Sequence, residues 1–520
     1  MATFTPNVPV VTSEPTIQVE GLKAGTHRFQ LIVEDEFGNR SAPSFGLVSI
    51  TDRAPLITSV SPEFGNWEDV VVIAGTNFDP QPLKNQVSFN GIEAPVEKVD
   101  AAGTQLFVRV PRPAATGLIR VVTGLGEGVS PLSFVIPRLF TVEIGATPTD
   151  LALDPVKGNL WVTKGPSSLS SGAVGVISLA TKKLLANIAV GKSPKAIAVA
   201  TAERRICLAL NSGGTVTAID MDSMQVKATI QVAENAIALK LSPDGRWGYV
   251  LNLDQSTLNL DQSTVNLDQS TPTISRAVTI GADDLAPGGT VSVIDTSVFK
   301  VVRTIPVGPG PTTVAFSPDG QFAVVSNTGA GSIVLIDVRE HQSVAVVDVG
   351  ESDTSNPAGV VFSRKNFPLW TANLGSRSTS IVVEQKVLFN VELKLSPMAV
   401  AVTQSGERAF LVGPNDALMT MVDITEGQPV IETVRMAEGA INADAIATTP
   451  DDRGVVAVHS DSRGMSVIDA RTLRLRANVN LPSSPLKCLV TLDGKFAAVL
   501  MPAGNALSVI EMESVLPTES

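Results

Sequence analysis

The feature that most limits what this chain can become is a phrase that recurs inside it. Ser317-Pro318-Asp319-Gly320 repeats Ser242-Pro243-Asp244-Gly245, and Leu492-Asp493-Gly494 is a shorter form. Each follows an alternating run: Thr313-Val314-Ala315-Phe316, Ala238-Leu239-Lys240-Leu241 and Cys488-Leu489-Val490-Thr491. Each precedes a second apolar run, such as Phe322-Ala323-Val324-Val325. A third run ends in Asp, as in Val291-Ser292-Val293-Ile294-Asp295 and Ser466-Val467-Ile468-Asp469, and a fourth closes the unit with Thr304-Ile305-Pro306-Val307-Gly308. Alternation is the strand pattern. Pro-Asp-Gly suits a tight turn: proline presets φ, aspartate bonds its own backbone and glycine takes positive φ. The Asp that recurs after the third strand reads as another turn-former rather than as a reactive group.

Four short strands per unit, repeated every 40–50 residues or so, is the pattern of β-propeller blades. First strands open near Pro148, Pro194, Ala236, Pro311, Pro357, Pro397, Ala443 and Pro485, most of them 40–46 residues apart. The last unit has three strands only. Leu139-Phe140-Thr141-Val142-Glu143-Ile144-Gly145, just ahead of the first blade, has the fourth-strand pattern, and pairing it with the last blade removes an open edge. Eight blades are expected. Seven is the alternative, because the unit from Pro357 to Lys394 is degenerate. These units resemble the YVTN family of bacterial propeller repeats over about residues 138–515, through the Ser-Pro-Asp-Gly phrases and Thr290-Val291-Ser292-Val293-Ile294-Asp295-Thr296. The fold implied hosts enzymes, adhesins and scaffolds alike.

The long interval from Ala236 to Pro311 holds an insertion, 251–271, in which Leu-Asn-Leu-Asp-Gln-Ser-Thr occurs twice and then once more with Val265 in place of Leu. Its apolar spacing makes no coiled-coil seam, and Ser, Thr, Asn and Asp disfavour a helix interior. A projecting loop or short hairpin between the second and third strands is expected, as a spacer or as a binding element.

Two modules precede the propeller. Residues 53–137 contain Pro55-Leu56-Ile57-Thr58-Ser59-Val60-Ser61-Pro62, Val71-Val72-Ile73-Ala74-Gly75-Thr76-Asn77-Phe78 and later strand-like runs to Val122. They resemble the IPT/TIG module, an immunoglobulin-like sandwich, which the alternation alone also implies. Residues 1–52, with Gly25-Thr26-His27-Arg28-Phe29-Gln30-Leu31 and Phe45-Gly46-Leu47-Val48-Ser49-Ile50, resemble part of a fibronectin-type or other immunoglobulin-like sandwich. The expected fold class is therefore all-β: a C-terminal propeller (138–520) behind short N-terminal sandwich modules.

Chemistry is sparse. Only His27, His341 and His459 occur, in distant units, with no metal-ligand spacing, nucleophile elbow or phosphate loop. Asp283-Asp284 and Asp451-Asp452 lack calcium-loop spacing. Cys207 and Cys488 sit in apolar runs and read as buried free thiols. No catalytic, cofactor-binding or metal residue is nominated, and no cofactor is expected. Net charge is −12, and the basic pairs Lys182-Lys183 and Arg204-Arg205 are isolated, which argues against nucleic acid. Charged residues make up only 17%, yet no apolar run is long enough to span a membrane. The first nine residues lack a basic segment and an apolar segment, so no Sec signal is expected there.

The sequence thus points to a non-enzymatic interaction scaffold, cytoplasmic or particle-associated. Its partners would be other protein subunits, met through the N-terminal β module and a propeller face. By fold-level analogy, a phage-tail-like contractile injection system is the candidate particle. A cell-surface or secreted adhesion protein is the alternative, and a propeller lactonase or lyase is the third reading.

Overall fold

The computed structural model describes residues 10–13, 22, 25–50, 54–165, 172–200, 204–253, 288–350, 354–364, 366–437 and 439–516. The chain divides into two compact units, residues 1–62 with 66–134 and residues 63–65 with 135–520.

In the second unit eight four-stranded antiparallel sheets form the blades of a propeller. Blades 1 to 7 span 148–189, 194–231, 236–308, 311–348, 357–392, 399–435 and 443–480. Blade 8 is composite. Lys487–Val490, Phe496–Met501 and Ala506–Glu511 are completed by Leu139–Glu143, which pairs antiparallel with Ala506–Glu511 and sets Thr141 opposite Ser508. Blade 5 keeps four strands despite its degenerate sequence, because Leu369 and Trp370 on its second strand are fully buried.

The second strands are buried on both faces, as in Ile206–Asn211, since each blade is covered by a neighbour on either side. The core therefore lies between blades. Ala196, Ala198 and Leu208 of blade 2 pack on Leu239 and Val250 of blade 3. Across the closing seam, Leu160, Val162 and Ile177 of blade 1 pack on Leu500, Leu507 and Val509 of blade 8, with Val142 of the closing strand between them.

The recurring acids are turn-formers. Asp244 accepts the Ser242 hydroxyl (2.5 Å) and the Arg246 amide (3.0 Å), Ser242 accepts the Trp247 amide (2.9 Å), and Gly245 takes φ 69°. Asp319 and Asp493 repeat the arrangement in blades 4 and 8. After the third strands, Asp220, Asp295, Asp337, Asp423 and Asp469 each accept a backbone amide two residues on. At Asp220 the Ser223 amide leads the contributions that bring the carboxyl down to about 2.

Arg205, one of the basic pairs in the sequence, joins two blades. Its guanidinium makes a bidentate pair with Asp154 (2.6 and 2.8 Å) and a further bond to Asp222 (3.2 Å). Burial pushes the Asp154 carboxyl up, but Arg205 and the amides of Val156 and Lys157 outweigh it and hold the group below its ordinary range.

In blade 3, Trp247–Asn252 pairs directly with Gly289–Asp295, so Leu251 and Asn252, expected in the projecting insertion, belong instead to the second strand, and the extra residues follow it before the third. The heptapeptide repeats beyond residue 253 lie outside the described residues.

The first unit contains a sandwich of two four-stranded sheets. One is built from Leu56–Ser61, Val70–Thr76, Gln105–Arg109 and Val96–Val99; the other from Gly126–Val129, Ile119–Thr123, Gln86–Phe89 and Ile92–Ala94. Val71, Ile73, Leu106, Val108, Ile119 and Val121 are wholly buried between them, and Phe89 meets Phe134 edge to face at 5.2 Å. Ahead of it, Gly25–Leu31 and Ser44–Ile50 form a two-stranded antiparallel hairpin. Leu31, Ile32, Val33, Phe37, Phe45, Leu47 and Val48 in and around that hairpin are exposed.

Removing one partner of a buried ion pair strands the other charge, at a cost of about 3 kcal/mol or more, whereas replacing both by apolar groups is near neutral. Arg205→Ala should therefore lower the denaturant midpoint of the propeller markedly, and Arg205→Met with Asp154→Leu should restore most of it. Equal loss in the single and double variants would show that the pair does not join the blades energetically.

Candidate functional site at the propeller axis

Successive first strands contact one another around the ring, from blade 1 through blade 8, so they form its innermost layer. Most of their side chains are small or apolar, and several hydroxyls bond the neighbouring strand, as Thr149 does to the Pro194 carbonyl (2.6 Å). The charged residues on these strands are Asp150, Lys195, Lys240, Asp444 and Lys487. Asp150 on blade 1 is ion-paired with the Lys487 ammonium of blade 8, and its other oxygen accepts the Ile197 amide of blade 2 at 3.0 Å. One carboxylate thus ties three blades. Lys240 is on blade 3. Water reaches its side chain, yet the surrounding protein desolvates the ammonium and, with Lys487, holds its pKa below the ordinary lysine value, while Asp150 pulls the other way. Both properties fit a group standing in a pore.

Around this layer the second strands end in a polar ring. Asn211, Asn252, Asn327 and Asn373 occupy the same place in blades 2 to 5, all buried. Asn211, Asn252 and Asn373 donate through Nδ2 to hydroxyls of the third strand, at 2.9–3.3 Å. Asn327 instead donates to the Val307 carbonyl at 2.6 Å, bracing the turn that enters blade 4. A side chain at Gly191 or Gly308, beside Asn211 and Asn327, would press on these amides. Among the described residues each Asn Oδ1 is buried without a protein partner, four equivalent places where an ordered water would complete the bonding. Blade 1 has Lys164 at this position, its ammonium bonded to the Ile144 carbonyl (2.6 Å), with burial lowering its pKa.

Blade 7 has His459 there, fully buried, with Nδ1 on the Ser462 hydroxyl and Nε2 on Ser466 Oγ (2.9 Å). Burial brings its pKa down to about 4. His341 lies elsewhere, on the turn after the third strand of blade 4, where its Nδ1 lies 3.0 Å from the hydroxyl of Tyr249, the chain's one tyrosine. Burial raises the Tyr249 pKa and keeps its hydroxyl protonated. Burial, then Arg303 and Arg246, lowers the His341 pKa, against Asp337 and Asp295. His341 meets the Trp247 ring edge to face at 4.3 Å. His27 is on the N-terminal hairpin of the other compact unit, and His341 and His459 lie in different blades.

Cys207 and Cys488 are buried free thiols; burial pushes the second up to about 12, with Lys487 pulling it down. Asp451 holds a turn through the Arg453 amide and Asp452 accepts the Gln404 amide, so neither is a free ligand. Asp283 and Asp284 lie outside the described residues. Among the described residues no three His, Cys, Asp or Glu side chains gather as a metal site, and no helix is long and apolar enough to cross a membrane. None of the axial cluster was singled out from sequence. The Asn ring had a signal, an Asn closing the second apolar run in four consecutive units; the Asp150–Lys487–Lys240 cluster had none.

Residues 55–136 match the family described as IPT/TIG domain, and residues 249–437 match the one described as Choice-of-anchor I domain. No curated protein matches the chain. Similar solved structures include hydrazine synthase of Kuenenia stuttgartiensis, at 18% identity and TM-score 0.45, over 70% of this chain and 96% of that one. Another is the β-propeller domain of Cps50 (Swd1) from Myceliophteria thermophila, at 9% identity and TM-score 0.46, over 72% of this chain and 99% of that one. Immunoglobulin-like and propeller domains together make a scaffold of the protein-interaction or adhesion type.

His459 is neutral in the fold, while in the unfolded chain it titrates near 6.5. Between that value and about 4 the unfolded chain takes up the proton and the folded chain does not, so stability falls as pH drops through the window, by up to about 3 kcal/mol at its lower end. Asparagine is the residue that blades 2 to 5 carry at this position. His459→Asn should therefore fold and show a shallower loss of unfolding midpoint between pH 6.5 and 4 than the parent. Parallel pH profiles would show that His459 is not the group responsible.

Proposed function

We propose that the chain is a non-catalytic docking scaffold, an accessory subunit of a large multi-protein particle. The observation that carries this reading is what its reactive side chains already do. His459 is bonded between two serines, His341 to Tyr249, both thiols are buried, and the recurring carboxylates hold turns or blade contacts. What is left to offer is surface: the loops at the two ends of the propeller and the N-terminal hairpin. The hairpin exposes Leu31, Phe45, Leu47 and Val48, and among the described residues neither of its strands has a second neighbour. A sheet edge of this kind accepts a strand from another protein. The repeats are, on this reading, of YVTN type, and a phage-tail-like contractile injection particle is the candidate assembly by analogy of fold. The match to a domain described as choice-of-anchor favours a second reading, an adhesion protein held at a cell surface.

Native chain carrying a C-terminal tag should sediment from source cells with a megadalton particle and stoichiometric protein partners, and deleting residues 25–50 should release it. A monomer of 54.3 kDa in the envelope or medium fraction would contradict the particle and favour the adhesin.

A further inference from the structure

A strand at the edge of a sheet can pair with another chain, and folds guard such edges with charge, proline, a bulge or shortness. The sandwich and the rim of the propeller are guarded in that way. Leu56–Ser61 and Val96–Val99 are bulged, and the short edge strands Ile92–Ala94 and Gly126–Val129 carry Glu93 and Glu127. Among the described residues the outer strand of every blade holds at least one charge, such as Lys183, Lys227 or Glu432. Ser44–Ile50 departs from this pattern. None of its seven residues is charged or a proline, and it pairs with Gly25–Leu31 over all seven with no register shift. Among the described residues no strand pairs with its other edge. Phe45 and Leu47, two apart and so on one face, are 53% and 72% exposed. A two-stranded hairpin is marginally stable in water, and further strands stabilise it.

We propose that Ser44–Ile50 is covered by a second copy of this chain, the two strands pairing antiparallel about a two-fold axis through Leu47 to give one four-stranded sheet. A two-fold contact uses the same patch on both molecules, so the patch must complement itself. This strand does. Leu47 is its middle residue, so the register pairs all seven positions, with Leu47 against Leu47 of the second copy and Phe45 against Ser49. The apolar stripe of Phe45 and Leu47 then continues across the axis, and no charges are opposed. Pairing through Gly25–Leu31 would instead centre on Arg28 and set two guanidinium groups opposite each other, which is destabilising. Arg28 already lies over the Phe45 ring, 4.0 Å from its centroid, and flanks the stripe on the side away from the axis. This inference rests on the reading of the hairpin as a docking edge and names what docks there. The two fail separately. A pure dimer with no particle in cells sinks the particle alone. A pure monomer that still reaches the particle through residues 25–50 sinks the second copy alone and gives the edge to another protein.

The test is sedimentation equilibrium of the purified full chain over a range of concentrations. The expected species is a dimer, at twice the chain mass of 54.3 kDa. Leu47→Lys sets two ammonium groups opposite each other across the axis and should weaken the dimer about tenfold or more. Leu83→Lys, at a position 97% exposed on the sandwich, should leave it unchanged. Leu47→Cys reads the register directly. Either kind of antiparallel pair brings opposed Cα atoms to about 4.5–5.5 Å, within reach of a disulfide. Mild oxidation should therefore link two copies through Leu47→Cys and not through Phe45→Cys, which the register sets against Ser49. Cys207 and Cys488 are buried and do not compete. A monomer at every concentration overturns the proposal, and so does a dimer that Leu47→Lys leaves intact or that Leu47→Cys fails to link.

Discussion

Closure of the ring is the constraint on which the rest of this propeller depends. A blade is apolar on both faces, so it is stable only between two others, and an unclosed ring would leave two such faces in water. The seam between blades 1 and 8 is therefore fastened in several independent ways. Leu139–Glu143 supplies the missing outer strand. Val142, Ile144, Leu160 and Leu507 fill the space between the sheets. Lys487 reaches Asp150 at the axis, and Lys182 reaches Glu511 near the rim at 3.0 Å. The chain's two distant segments meet there across more than three hundred residues of sequence, so the seam holds the whole unit as one.

Polar groups in the interior are arranged to serve that ring. The aspartates of the turns each accept backbone amides that would otherwise face the ends of the sheets unpaired. Asn211, Asn252, Asn327 and Asn373 sit where the second strand meets the crossover from the preceding blade, and the glycines at 191 and 308 are needed because the amides stand so close. His459 and Lys164 occupy the same position in other blades with different partners, so the position demands a polar side chain more than a particular one.

Blade starts, turn aspartates and the sandwich ahead of the propeller were legible because they repeat or alternate, and periodicity is local. The buried state of both cysteines followed from their apolar runs. The short strands Ile92–Ala94, Val96–Val99 and Gly126–Val129 were not legible, since Glu, Lys and Gly dilute their alternation. The axial cluster was invisible for a different reason. Asp150, Lys240 and Lys487 occupy positions that carry small or apolar residues in most other blades, so no repeat marks them, and only closure brings residue 150 to residue 487. Arg205 looked like half of an isolated basic pair, yet its partner is an aspartate one blade away. Tyr249 and His341 likewise meet only because blades 3 and 4 are packed together.

The most direct test of this account is a cross-link at the seam. Thr141 and Ser508 face each other on the paired strands, with their hydroxyls 2.9 Å apart. With Thr141→Cys and Ser508→Cys in one chain, mild oxidation should form an intrachain disulfide in nearly every molecule, and the oxidised protein should unfold at a higher midpoint than the reduced one. A pair that stays reduced under those conditions, or that links only between chains, would show that residues 139–143 do not close the ring.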